Sequence, residues 1–169
     1  KEIKTEGDNL NLDDDSIIKN VNLDFDFKYY GSIFNTLTIC SNGWASFLPC
    51  LGDDEGLGSC NTLPYFYNNS ISHPLGPYGM LAPFFDDLDD NNGNELFNVY
   101  FWTNSIHSAI VEWDNVANGQ TDENCPDDCK REKFQLIITN SELSTSSDGE
   151  IIFQYNIIHD IDDHGSTIG

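Results

Sequence analysis

The chain has 169 residues, and its 29 Asp and Glu against 7 Lys and Arg give a formal charge of -22. Such a charge repels phosphate backbones and anionic lipid surfaces, which excludes nucleic acid as an expected partner, and it opposes compaction unless a saline or calcium-containing medium relieves it. An aromatic share of 12%, with abundant Ile and Leu, excludes a disordered chain.

The length suits a single domain over residues 1–169. No apolar run approaches the roughly 20 residues of a membrane-spanning helix, so direct membrane insertion is not expected. The start, "KEIKTEGDNLNLDDD", lacks the apolar stretch of a signal peptide, and the expectation is a mature or excised segment.

In chain order, "GDNLNLDDDS" comes first and offers Asp8, Asp13, Asp14 and Asp15, either as a cation site or as a solvated N-terminal arm. "VNLDFDFKYYG" then alternates, with Val21, Leu23, Phe25, Phe27 and Tyr29 on one side and Asn22, Asp24, Asp26 and Lys28 on the other. That is the pattern of a half-buried strand. "NTLTICSNGWASF" keeps Leu37 and Ile39 in phase, turns at Asn42 and Gly43, and resumes with Trp44 and Phe47.

Residues 48–80 form the first of two long irregular insertions, rich in Gly, Pro and Asn. An apolar run through "APFF" reads as the end of a buried strand, and "DDLDDNNGNE" follows it. A hairpin comes next, with Thr103, Asn104 and Ser105 separating Phe97, Val99 and Phe101 from Ala109, Val111 and Trp113. The second insertion spans residues 115–132, and "KFQLIIT" and "GEIIFQYNII" are again β-branched and aromatic strands. Short strands without a helical period predict an all-β, antiparallel sandwich or jelly roll carrying two long loop insertions.

The acid-rich stretch offers Asp86, Asp87, Asp89, Asp90, Asn92, Asn94 and Glu95 as oxygen ligands. Calcium takes six to eight such oxygens, and Gly93 would let a loop wrap around one ion. Counted from Asp87, Gly93 falls at the seventh position rather than the sixth, so the loop is not an EF-hand. A hydrated hairpin loop is the competing reading, and a carboxylate pair for glycoside hydrolysis is the third. Calcium is the expected cofactor.

Tyr65, Phe66, Tyr67 and Tyr78 stand among Asn, Ser and Pro in the first insertion, where aromatic faces flanked by amides suit sugars. They would equally serve to cover a sandwich edge. "HDIDDHG" clusters His159, Asp160, Asp162, Asp163 and His164, which reads as a polar turn before it reads as a transition-metal site. G-x-S-x-G and H-E-x-x-H do not occur, so no catalytic residues are assigned.

Five cysteines point to an oxidising compartment. Cys50 with Cys60 and Cys125 with Cys129 would each close a polar loop, with zinc as the alternative for "CPDDC", and Cys40 would remain a buried, inert thiol.

The ordered elements "LDFDFKYYGSIFNTLTICSNGWASF", "GPYGMLAPFFDDL", "IVEWDNV", "FQLIIT", "DGEIIFQYNII" and "STIG" together resemble an extracellular module of large secreted bacterial proteins. Gingipain-type cysteine peptidases and surface proteins with type IX secretion sorting domains are among these. The chain is similar, more distantly, to the nidogen-type extracellular domain of animal matrix proteins in its "FYG"-like, "SNG", "APFFDD" and "FQ" elements. The resemblance implies a β-rich, non-catalytic accessory domain outside the cell or on its surface, and makes Asp86 and Asp87 candidates for a structural role. The expected function is a calcium-stabilised binding or adhesion module for carbohydrate or extracellular protein. The alternatives are a structural spacer that self-associates within a larger assembly and, behind it, a glycoside hydrolase.

Overall fold

The computed structural model describes residues 2–48, 79–89, 98–118, 131–140, 142, 148–159 and 166–169. Its elements are the strands β1 (Asp8–Asn9), β2 (Ile17–Tyr29), β3 (Ser32–Cys40), β4 (Trp44–Ser46), β5 (Met80–Leu81), β6 (Leu88–Asp89), β7 (Val99–Thr103), β8 (Ser108–Asn118), β9 (Glu132–Thr139) and β10 (Glu150–Ile157). They form two sheets, one ordered β1-β7-β8-β9-β10 with β6 also on β8, the other ordered β2-β3-β4-β5. Every pairing between these strands is antiparallel. The sandwich expected from the alternation is the fold observed.

Period-two alternation fixes which face each strand buries. Along β2, Leu23, Phe25 and Phe27 are buried while Asn22, Asp24 and Asp26 are exposed. The inward faces of both sheets meet in one cluster, where Leu23, Phe27, Leu37, Ile39 and Phe47 pack with Val111, Trp113, Phe134, Leu136 and Ile138. Phe27 stacks on Phe47 at 4.7 Å between ring centroids and Trp113 on Phe134 at 5.1 Å. Each such side chain contributes roughly 1.5–3 kcal/mol on burial, so this cluster dominates the stability.

Two corrections concern element limits. The run Ala82–Phe85 is buried but does not form a ladder strand: β5 ends at Leu81, and Phe85 makes only an isolated bridge to Thr167. The second insertion is shorter than its polar composition implied, because β8 continues to Asn118 and β9 begins at Glu132. A bulge between Asp114 and Val116 carries Asn115 at φ 63°, and this lets the strand continue through the polar "DNVAN". The edge strand β2 is interrupted in the same manner along its ladder with β3, with Asn20 and Asp24 in the left-handed region at the two breaks in register. Such breaks blunt an edge against pairing with another chain.

The outer face of the larger sheet is partly covered by the N-terminal segment. Ile3 is fully buried there against Tyr100 and Ile110, with Trp102 and Ile137 at the margin. Lys4 and Glu2 flank this plug.

Candidate functional site

The "SNG" turn, the "APFFDD" run and the C-terminal "STIG" lie far apart in sequence and meet at one end of the sandwich. Asn42 is fully buried, donating from Nδ2 to Asp15 Oδ1 at 2.8 Å and accepting at Oδ1 from the Leu88 amide at 3.1 Å. The Ser41 hydroxyl accepts from the Ser16 amide at 3.0 Å. Gly43 has φ 75°, and a Cβ there would fall inside the van der Waals radius of the Phe84 carbonyl oxygen. Only glycine satisfies both demands.

From the other side, the Phe85 amide donates to Thr167 O at 3.0 Å and the Thr167 amide returns a bond at 2.9 Å. Ala82 and Gly169 exchange a second such pair, and the Tyr155 hydroxyl donates to Pro83 O at 2.6 Å. This junction is a structural lock. Asp86 lies within it, fully buried, with Oδ1 accepting from the Asp87 amide at 2.9 Å. Asp87 is half-buried, and Asp89 sits in β6 opposite Ala117.

Of the other residues predicted for sites, Asp90, Asn92, Asn94 and Glu95 lie outside the described residues, as do Tyr65, Phe66, Tyr67 and Tyr78 and the cysteines Cys50, Cys60, Cys125 and Cys129. Asp160, Asp162, Asp163 and His164 do too, whereas the His159 amide donates to Glu132 Oε2 at 2.7 Å. Asp8 pairs with Phe101 in β1 rather than standing in a free arm. Among the described residues no three His, Cys, Asp or Glu side chains gather as a metal group, and no helix is long and apolar enough to cross a membrane. Cys40 is a free thiol, fully buried, and that burial pushes its pKa up to about 12. Its backbone carbonyl accepts the Trp113 indole N–H at 3.0 Å.

Two features were not signalled by any local motif. The first is a groove of about 470 Å³ along the open side of the sandwich, between the β1–β7 edge and β2, lined by Asp8, Leu10, Ile18, Asn22, Asp24 and Trp102 among others. Asn22 Nδ2 holds Asp24 Oδ1 at 2.7 Å, and the Ser105 hydroxyl holds Oδ2 at 3.2 Å, so the carboxylate on the groove wall is preorganised. Thr103 Oγ1 donates to Leu23 O at 2.8 Å and ties the two sheets together there.

The second is a charge cluster on the outer sheet face. Lys133 Nζ meets Asp114 at 2.9 Å and Glu2 at 3.0 Å, with Glu112 at 3.7 Å, while Lys4 meets Asp114 at 2.9 Å. Burial alone would raise the Asp114 pKa, but the hydrogen bonds from Lys133 and Lys4 overcome it and hold the carboxyl below the ordinary value. Burial likewise opposes the Lys133 charge, and its bonds to Asp114 and Glu2 keep the ammonium above its usual range.

An alternating strand reads such residues only as its solvent-facing half. What could have singled them out is cross-strand register, which places Glu112 opposite Gln135 and Asp114 opposite Lys133. No curated protein and no solved structure matches the chain. The family model described as "NIDO related" matches residues 1–156. The chain belongs to this NIDO-related, that is nidogen-related, family of extracellular-type domains.

Proposed function

We propose that the chain is a non-catalytic, extracellular recognition module that binds carbohydrate or an extracellular protein in the groove between the β1–β7 edge and β2. The observation that carries this reading is the groove itself, which combines an apolar floor of Leu10 and Ile18, the half-buried Trp102 and the fixed carboxylate of Asp24. Apolar surface with a few oriented polar groups is the composition of a ligand site. Trp102→Ala is expected to abolish binding to a panel of oligosaccharides and immobilised matrix proteins, with some loss of thermal midpoint because Trp102 also packs at the margin of the Ile3 cluster. Binding that survives this substitution would place recognition elsewhere.

Calcium stabilisation belongs to the same proposal, with ligands drawn from Asp86, Asp87, Asp89, Asp90, Asn92, Asn94 and Glu95. Asp86 Oδ1 accepts from the Asp87 amide, which fixes this carboxylate at the start of the proposed loop. At fixed ionic strength, millimolar calcium is expected to raise the unfolding midpoint relative to EGTA, and Asp87→Asn with Asp89→Asn is expected to remove the rise.

A second reading, a self-associating spacer in a long secreted surface protein, is favoured by β10. This edge strand carries one charged residue, Glu150, and exposes Ile152, Tyr155 and Ile157. Light scattering across a concentration series separates the two, since a spacer of this kind dimerises and a monomeric module does not.

A further inference from the structure

Register and alternation set Glu112 on β8, Gln135 on β9 and Gln154 on β10 in one row across the outer face of the larger sheet. A recess of about 270 Å³ opens over this row, lined by these three with Glu2, Lys133, Phe134 and Asn156. Glu112 is fully buried at its base, and Gln135 Nε2 donates to its Oε2. Its Oε1 accepts no hydrogen bond, with Lys133 Nζ 3.7 Å away. A buried acceptor without a donor is costly, and a donor seated in the recess removes that cost.

The surrounding groups decide what kind of donor fits. An ammonium or metal cation at Oε1 would meet the positive charge of Lys133, whereas an anion would meet Glu2 and Glu112. A hydroxyl escapes both conflicts, because it donates to Glu112 Oε1 while accepting from a neighbouring N–H. Lys133 has three donors, and its bonds to Glu2 and Asp114 leave the third for such a hydroxyl. The amides of the exposed Gln154 and Asn156 can each donate and accept at the rim.

We propose that this recess is a subsite for one neutral sugar residue, bound through adjacent hydroxyls by Glu112, Lys133, Gln135, Gln154 and Asn156. Its volume suits a single ring rather than a chain. The inference rests on the recognition reading above, but its site is separate from the groove.

The test is an NMR titration of the intact chain with common hexoses and N-acetylhexosamines, following the side-chain amide signals of Gln135, Gln154 and Asn156. At least one sugar is expected to give saturable shifts, weakened about tenfold or more by Glu112→Gln and by Gln154→Ala. The second variant alters an exposed side chain, so it reports binding even if the first disturbs folding. No saturable shift up to about 0.1 M of any sugar would mean that the recess holds water only, and would overturn the proposal. Shifts unchanged in both variants, or displaced by ethylammonium chloride but not by sodium chloride, would overturn it as well. Asp24→Asn on the groove wall should leave these shifts intact, so failure of the groove and failure of the recess are read separately.

Discussion

At the scale of single residues, Gly43 and Asp114 make the sharpest claims. Gly43→Ala combines a left-handed backbone with a collision against the Phe84 carbonyl, so it is expected to destabilise the fold by about 3 kcal/mol or more in urea unfolding. The sequence marks this glycine as a turn, but its close approach to "APFF" depends on a contact some forty positions away and leaves no local trace. Asp114 makes a claim about pH. Its folded pKa lies below the ordinary 3.8, so its contribution is complete above that pH and is lost as acid takes the pH down through the folded value. Asp114→Asn should flatten the acid limb of a stability profile and cost about 2 kcal/mol near neutrality, since it leaves Lys133 with poorer compensation. An unchanged acid limb would refute the assignment.

At the scale of elements, the C-terminal segment behaves as a short added strand on Ala82–Phe85. Thr167→Pro removes the donor to Phe85 O, and the expected result is faster hydrogen exchange at the Phe85 and Ala82 amides, with a loss of about 1 kcal/mol. Exchange unaltered at both amides would show that the pairing contributes nothing to stability. Long strands were legible because β2, β7 to β10 and the β3–β4 hairpin carry enough residues for a period of two to register. By contrast, β1, β5 and β6 have two residues each, too few to show any period, and they exist because longer neighbours offer them an edge. The tail of β8 was misread as loop for a different reason. Asn115 looks like a breaker, yet its tolerance of positive φ is what the bulge needs.

At the scale of the molecule, a formal charge of -22 sets the response to salt. Raising sodium chloride from about 0.05 to 0.5 M should raise the thermal midpoint through screening of general repulsion, even though it weakens the Lys133 cluster. A falling midpoint would mean that the local ion pairs outweigh the global field. The fold class could be read from the chain and so could the nidogen-type resemblance, whose "SNG" and "APFFDD" elements meet at the Asn42 junction. The groove and the polar row could not, because each is assembled from three or more strands separated by loops, and no single window of sequence contains it.

The burial of Cys40 has a consequence for how this protein matures. In an oxidising compartment an accessible thiol is open to exchange with any disulfide it meets. Sealed in the core with its pKa near 12, Cys40 is both unreachable and almost never a thiolate once the sandwich has closed. Closure of the core therefore withdraws this one sulfur from thiol–disulfide exchange, whatever the other four cysteines do. A thiol reagent added during refolding would time that withdrawal as the moment Cys40 stops reacting.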